Sequence, residues 1–236
     1  MRHRIGDWYD EITMSIADLP TEPIDEDQDR IYRGRKLSKR GEPVWELALS
    51  HPRQGEWTEE EYLRLTDTEF VELVDGCLEF LPMADPFHQL IVKYLSDMLS
   101  AFVMGRHLGI VLFAPCPIRL WPQHLREPDV FYLKPERLPD RRRPPTGADL
   151  VMEVVSPGPG NRQCDLIEKR QAYAQAGVTE YWIVDPETET VTVLALDGAE
   201  YRVHGEFKSG DTATSVLLPG FIVEVSAVFA AGRGEG

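Results

Sequence analysis

The sequence predicts an α/β domain, with helices packed on a buried sheet, and three stretches carry that prediction. The first is the row Phe87, Leu90, Ile91, Tyr94, Leu95, Met98, Leu99 and Phe102, whose three-and-four spacing defines an amphipathic helix over residues 86–105. The second is the apolar strand in ADLVMEVVS, which the breaker PGPGN ends. The third is a helix running to about Ala176, followed directly by the strand TEYWIVD. A helix joining two apolar strands is a crossover, and a crossover packs on a sheet.

The elements follow in order. Residues 1–55 lack apolar periodicity and hold opposed charge blocks, acidic IDEDQDR and basic YRGRKLSKR, so they read as a partly disordered or arm-like extension. The domain is expected over residues 56–230, with a flexible tail at 231–236. It opens on a capping box, Thr58 with Glu61, and Trp57 stapled on Tyr62, which starts a helix over residues 59–65. EFVELVDGCLEFLP then alternates around Asp75-Gly76, a pair that accepts the positive φ angles of a tight turn, and predicts a β-hairpin. After the long helix come strands near 110–120 and 128–133, then ADLVMEVVS. Asn161 is expected to cap the crossover helix and Gly177 to end it. Segments near 190–196, 201–204 and 221–225 read as peripheral strands.

The chain has 236 residues, 42% of them apolar, with a formal charge of −15. Residues 1–55 hold 9 Lys and Arg against 11 Asp and Glu, so the acidity belongs to the domain. That sign excludes a protein that coats nucleic acid electrostatically, and any nucleic-acid contact has to be local. Cys77, Cys116 and Cys164 are odd in number and show no ligand spacing, which argues against a disulfide framework or structural zinc. The N-terminus lacks an apolar h-region, and the longest apolar stretch carries Lys93 and Asp97, so a soluble cytoplasmic protein is expected.

No GxGxxG, Walker A, HExxH or GxSxG pattern occurs. What remains is acidic. Glu153 sits mid-strand in DLVMEVVS, on the row of Val151 and Val155, where a carboxylate requires a cation, hydrogen bonds or a metal. Lys169 falls on a helical stripe with Leu166 and Tyr173, one turn after Asp165, and is placed to reach that carboxylate. Asp129 opens the strand in REPDVFYL. A hard divalent cation held among these groups is one reading. The other is a buried Glu153–Lys169 salt bridge and a turn acceptor at Asp129. Glu72 reads equally as a solvent-facing hairpin residue, and His88 as a cap or surface residue on the first helical turn. Arg119, Arg126 and the Arg141 to Arg143 run are the local basic groups nearest the predicted strands.

Taken in order, ELVDG, PFHQLIV, EPDV, DLVMEVVSP, Asp165 to Lys169 and AGVTEYWIVDP resemble the Uma-type putative restriction endonucleases, within the PD-(D/E)XK nuclease superfamily. The resemblance covers about residues 57–230. It implies a restriction-endonuclease-like core, a mixed central β-sheet flanked by helices with a β-hairpin at its N-terminal side. It also implies that Pro128-Asp129 is the PD element and Glu153 the second carboxylate, binding Mg²⁺ or Mn²⁺ to cut DNA. One position departs: Val155 stands where the motif carries lysine, and Lys169 is the candidate for a lysine relocated to the helix. Glu72 matches the family's hairpin acid, a third candidate metal ligand, and His88 the histidine before its long helix, and both are candidates for the catalytic site. The expected partners are DNA, met through local basic patches, and a second copy of the chain, since cutting both strands favours two sites. Two other readings stand beside this one: a non-catalytic binding or assembly module on the same fold, favoured by Val155 and the acidity, and a hydrolase of smaller phosphate esters.

Overall fold

A computed structural model describes residues 52–65 and 71–235, together with the backbone of residues 31–32 and 35–36. The chain divides into two units, Met1–Pro52 and Arg53–Gly236. In the first, β1 (Ile31–Tyr32) pairs antiparallel with β2 (Arg35–Lys36). The acidic block and the rest of the proposed arm lie outside the described residues.

The second unit starts at α1 (Glu59–Tyr62), where Thr58 and Glu61 form the reciprocal capping box and Trp57 and Tyr62 share one buried cluster. The hairpin follows as β3 (Val71–Val74) and β4 (Cys77–Phe80). Its turn needs φ of +49° at Asp75 and +81° at Gly76. A side chain at Gly76 would also strike Gly55 O at 2.8 Å, so glycine serves both the turn and the docking of residues 55–57 on it.

Helix α2 (Pro86–Gly105) matches the predicted span, with Asp85 as its cap and Pro86 at its first position. The single strand expected near 110–120 is two, β5 (Ile110–Phe113) and β6 (Ile118–Trp121), in different sheets. Pro115 and Pro117 separate them, since neither can donate to a ladder. Next come β7 (His124–Arg126), β8 (Val130–Leu133) and β9 (Leu150–Val154).

The crossover is α3 (Pro159–Gln163), one π-helical turn (Cys164–Glu168) and α4 (Lys169–Gln175). Gly158, not Asn161, occupies the cap position. Asn161 lies inside the first turn, its amide donating back to Pro157 O at 2.7 Å. Gly177 ends the helix at φ +74° as expected. The chain closes with β10 (Glu180–Asp185), β11 (Thr190–Asp197), β12 (Glu200–Lys208), β13 (Thr212–Thr214), β14 (Ile222–Glu224) and α5 (Val225–Gly232).

The main sheet runs β12-β11-β10-β9-β8-β5. It is mixed: β9 and β10 pair parallel, as a crossover demands, and the remaining neighbours pair antiparallel. Alternate residues of β9 divide between two cores. Leu150, Met152 and Val154 join α2 and α5, whereas Val151 and Val155 join Tyr173 of α4. A smaller antiparallel sheet, β4-β3-β7-β6, stands beside it. No helix among the described residues is long and apolar enough to cross a membrane.

Candidate active site

Glu153 lies on the crossover face of β9, in the row of Val151 and Val155, and it is 2% exposed. Two side chains from the crossover meet it. Tyr173 Oη donates to Oε1 at 2.6 Å, and Lys169 Nζ lies 3.1 Å from Oε2. The same ammonium is 3.1 Å from Asp165 Oδ1, one turn back. The π-helical turn makes this alignment: the Lys169 N–H bonds back to Cys164 O, and the widened turn brings Asp165 and Lys169 together beneath Glu153. Asp165 is fixed in turn by the Ser156 N–H at 3.2 Å.

Asp129 stands at the entrance to β8. Its Oδ2 accepts the Val154 N–H at 2.8 Å and lies 3.3 Å from His88 Nε2. His88 is buried on the first turn of α2, where the Asp85 cap accepts its N–H at 2.8 Å. Its Nε2 also lies 3.1 Å from Val154 O. Both neighbours accept, so Nε2 carries the proton and His88 clamps Asp129 against the end of β9.

Glu72 is buried on β3, which disposes of the solvent-facing reading. Arg126 Nη1 binds its Oε2 at 2.7 Å and Glu79 Oε2 at 2.9 Å, while the Glu127 N–H donates to Glu72 Oε1 at 2.7 Å. Both oxygens of Glu72 are thereby engaged. Arg126 is itself 3% exposed and Arg119 pairs with Glu59, so both are engaged within the fold, contrary to the expectation that they are among the local basic groups that meet DNA.

All five sequence candidates, Glu72, His88, Asp129, Glu153 and Lys169, line one cavity of about 400 Å³ between the two sheets, the start of α2 and the π-helical turn. Glu127 lines it as well and was not singled out from the sequence. Its carboxylate accepts Tyr62 Oη at 3.1 Å, and its place beside Pro128-Asp129 was the only available signal. Tyr173 was visible on the Lys169 stripe, but its partner was not.

The electrostatics are those of a buried acidic cluster. Burial pushes Glu153 up to about 8 against the pull of Lys169, with Asp129 and Asp165 adding to the rise. Lys169 is held well above its ordinary range, because Glu153 and then Asp165 outweigh the burial that would lower it. Burial, reinforced by Glu72, moves Glu127 up to about 7 despite the Tyr62 hydrogen bond. His88 is raised because its contact with Asp129 outweighs its own desolvation.

This donor set suits a hard divalent cation. Magnesium is typically held by one or two carboxylates, with water and substrate phosphate completing its shell. Asp129 Oδ1 makes no hydrogen bond to the described residues, and a cation would offset the burial and the neighbouring carboxyl groups that raise Glu153. Among the described residues no group of three or more His, Cys, Asp or Glu forms a ready-made cage, so Asp129 and Glu153 are the two-carboxylate candidate.

The fold is similar to that of a solved "putative nuclease belonging to DUF820" from Anabaena variabilis, with a TM-score of 0.61 and 17% identity, over 74% of this chain and 98% of that one. At that identity the likeness speaks for the fold. No curated protein matches the chain significantly. The profile of the Uma2 family, described as "putative restriction endonuclease", matches residues 59–226, which takes in the hairpin, every cavity residue named above and the crossover. That match spans well over half of the sequence, and the chain therefore belongs to the Uma2 family.

Proposed function

We propose that this chain hydrolyses phosphodiester bonds in DNA, with Mg²⁺ or Mn²⁺ held by Asp129 and Glu153. One observation carries the reading: a strand-entrance aspartate, a mid-strand glutamate and a lysine from the next helix converge on one cavity although 40 residues separate the first from the last. When bound, the cation would supply Lewis-acid polarisation of the phosphate and acidify a water. His88 holds Asp129 so that Oδ1 stays available, and Tyr173 holds Glu153 in one orientation. Lys169 donates to a non-bridging phosphate oxygen or orients the attacking water, and its charge meets the negative charge that develops on phosphorus oxygens. The water oxygen bonds to phosphorus as the bond to the leaving oxygen breaks, giving a phosphate monoester and a free hydroxyl. Glu72 is assigned a supporting part, since its oxygens position Arg126 and the Glu127 backbone. A second copy would supply the second cavity that cutting both strands requires.

The non-catalytic reading rests on the same contact, because a closed Glu153–Lys169–Asp165 cluster is also what a scaffold would keep. Cleavage of supercoiled plasmid, linear duplex and single strands with Mg²⁺, Mn²⁺ or EDTA separates the two. The expected result is metal-dependent cutting, lowered about 10²-fold or more in Asp129→Asn and in Lys169→Met. Absence of cutting in every condition, with no specific Mg²⁺ or Mn²⁺ binding by calorimetry, would establish the scaffold.

A further inference from the structure

The mouth of the cavity carries an apolar lip that the reaction above does not use. Phe80, the last residue of β4, is 81% exposed, and Met83, three residues on, is 85% exposed. Phe80, Leu81, Pro82 and Ala84 line the same cavity as Asp129, Glu153 and Lys169. An exposed aromatic side chain at the rim of a polar site, with an exposed methionine three residues along the chain, costs hydration unless something covers it.

The charge around the lip narrows what that is. The cavity lining holds seven Asp and Glu side chains and one Lys. The nearby arginines are committed elsewhere: Arg126 to Glu72 and Glu79, Arg119 to Glu59, and Arg162 to Asp185 and Glu187. Duplex DNA carries a phosphate charge about every 1.7 Å of its axis, about twice the density of a single strand, and is normally met by a row of cations, which the cavity lining does not supply. A volume of about 400 Å³ is at the lower end of small-molecule pockets, suited to one nucleotide and not to the width of a helix. Nucleobases, in contrast, offer uncharged faces that stack on aromatic side chains whatever the sequence.

Resting on the nuclease reading, we infer that the substrate is DNA with an unpaired or extruded nucleotide, whose base stacks on Phe80 while its phosphate enters the cavity. A fully paired duplex keeps its base faces covered, except at its ends, and gains nothing from this lip.

Fluorescence anisotropy with the full chain, Mg²⁺ and dye-labelled phosphorothioate oligonucleotides tests the inference, alongside cleavage of the unmodified strands. Single strands should bind at least about tenfold more tightly than the same sequence as duplex. Phe80→Ala should remove about tenfold or more of that affinity, and Phe80→Trp should restore it. Equal binding of both forms, unaffected by Phe80→Ala, with duplex cleavage still dependent on Asp129, would overturn the inference and leave the nuclease reading intact. Failure of the wild type to bind or cut any DNA would remove both. If Phe80→Ala and Met83→Ser convert a sedimenting dimer to monomer without changing DNA affinity per copy, the lip is a contact between copies and the inference falls.

Discussion

Glu153 shares its buried position with a tyrosine hydroxyl and an ammonium, and protons compete there with any cation. Its carboxyl is pushed up to about 8, so it holds a proton in neutral solution that a divalent ion bound to it would displace, and Glu127, raised to about 7 nearby, titrates over the same range. Mn²⁺ affinity measured by calorimetry should therefore climb by up to about tenfold per pH unit between pH 6 and 8 and then level off. In Glu153→Gln the slope should shrink together with the affinity. A flat profile in the wild type would mean that Glu153 does not hold the ion. At this scale the sequence was informative about identity: Asp129, Glu153 and Lys169 stood out as charges on apolar rows. It was silent on partners. Tyr173 sits on the Lys169 stripe and Glu127 beside Pro128-Asp129, but only the folded chain shows that they meet Glu153 and Tyr62.

Among the elements, the hairpin is held to the rest of the small sheet by a buried charge cluster as well as by strand pairing. Arg126 on β7 bridges Glu72 on β3 and Glu79 on β4, with Arg126 and Glu72 almost wholly withdrawn from water. Arg126→Met should lower stability by about 3–5 kcal/mol, because it leaves the Glu72 charge buried without its counter-ion. Combining it with Glu72→Leu should recover most of that loss, as read by denaturant unfolding. If the single variant proves as stable as wild type, the pair is not holding the sheet together. Long elements were legible from periodicity, and α2 matches its predicted span. Short ones were not: β7 and β13 have three residues each, too few to show alternation, even though β6 and β14, which pair with them, lie close by in the chain. The split of β5 from β6 was marked by Pro115 and Pro117, which break a ladder whatever the surrounding apolar pattern suggests.

For the molecule as a whole, stability and acidity oppose each other through the cavity. Glu127, Glu153 and His88 all have folded-state values raised above those of the open chain. Their stabilisation is complete below about pH 4.5 for the carboxyl groups and about 6.5 for the histidine, and it is lost as pH climbs through their raised values. Asp185, lowered by Arg162, acts in the other direction, and its stabilisation is lost in acid. Thermal melts in EDTA should consequently peak near pH 5 to 6 and fall by several degrees toward pH 9. Added Mg²⁺ should raise the melting temperature more at pH 8.5 than at pH 6, where protons already neutralise the cluster. A melting temperature that rises steadily to pH 9 without metal would contradict the charge assignment of the cavity.

What the sequence determined by itself were the properties set by neighbours along the chain. These are the capping box at Thr58, the Asp75-Gly76 turn, the stripe of α2, the crossover between two apolar strands, and the presence of charge where burial was predicted. Each depends on residues within a turn or a strand of one another, so its physics is local. The tertiary structure alone decided which charges meet. Arg126 could have been an exposed basic group but closes on Glu72, and His88 could have been a surface cap but clamps Asp129. Lys169 lies 16 residues from the carboxylate it pairs with, and Asp129 lies 41 residues from His88. Such pairings follow from strand order and from the shift that one π-helical turn imposes, and no pattern confined to a single element encodes either.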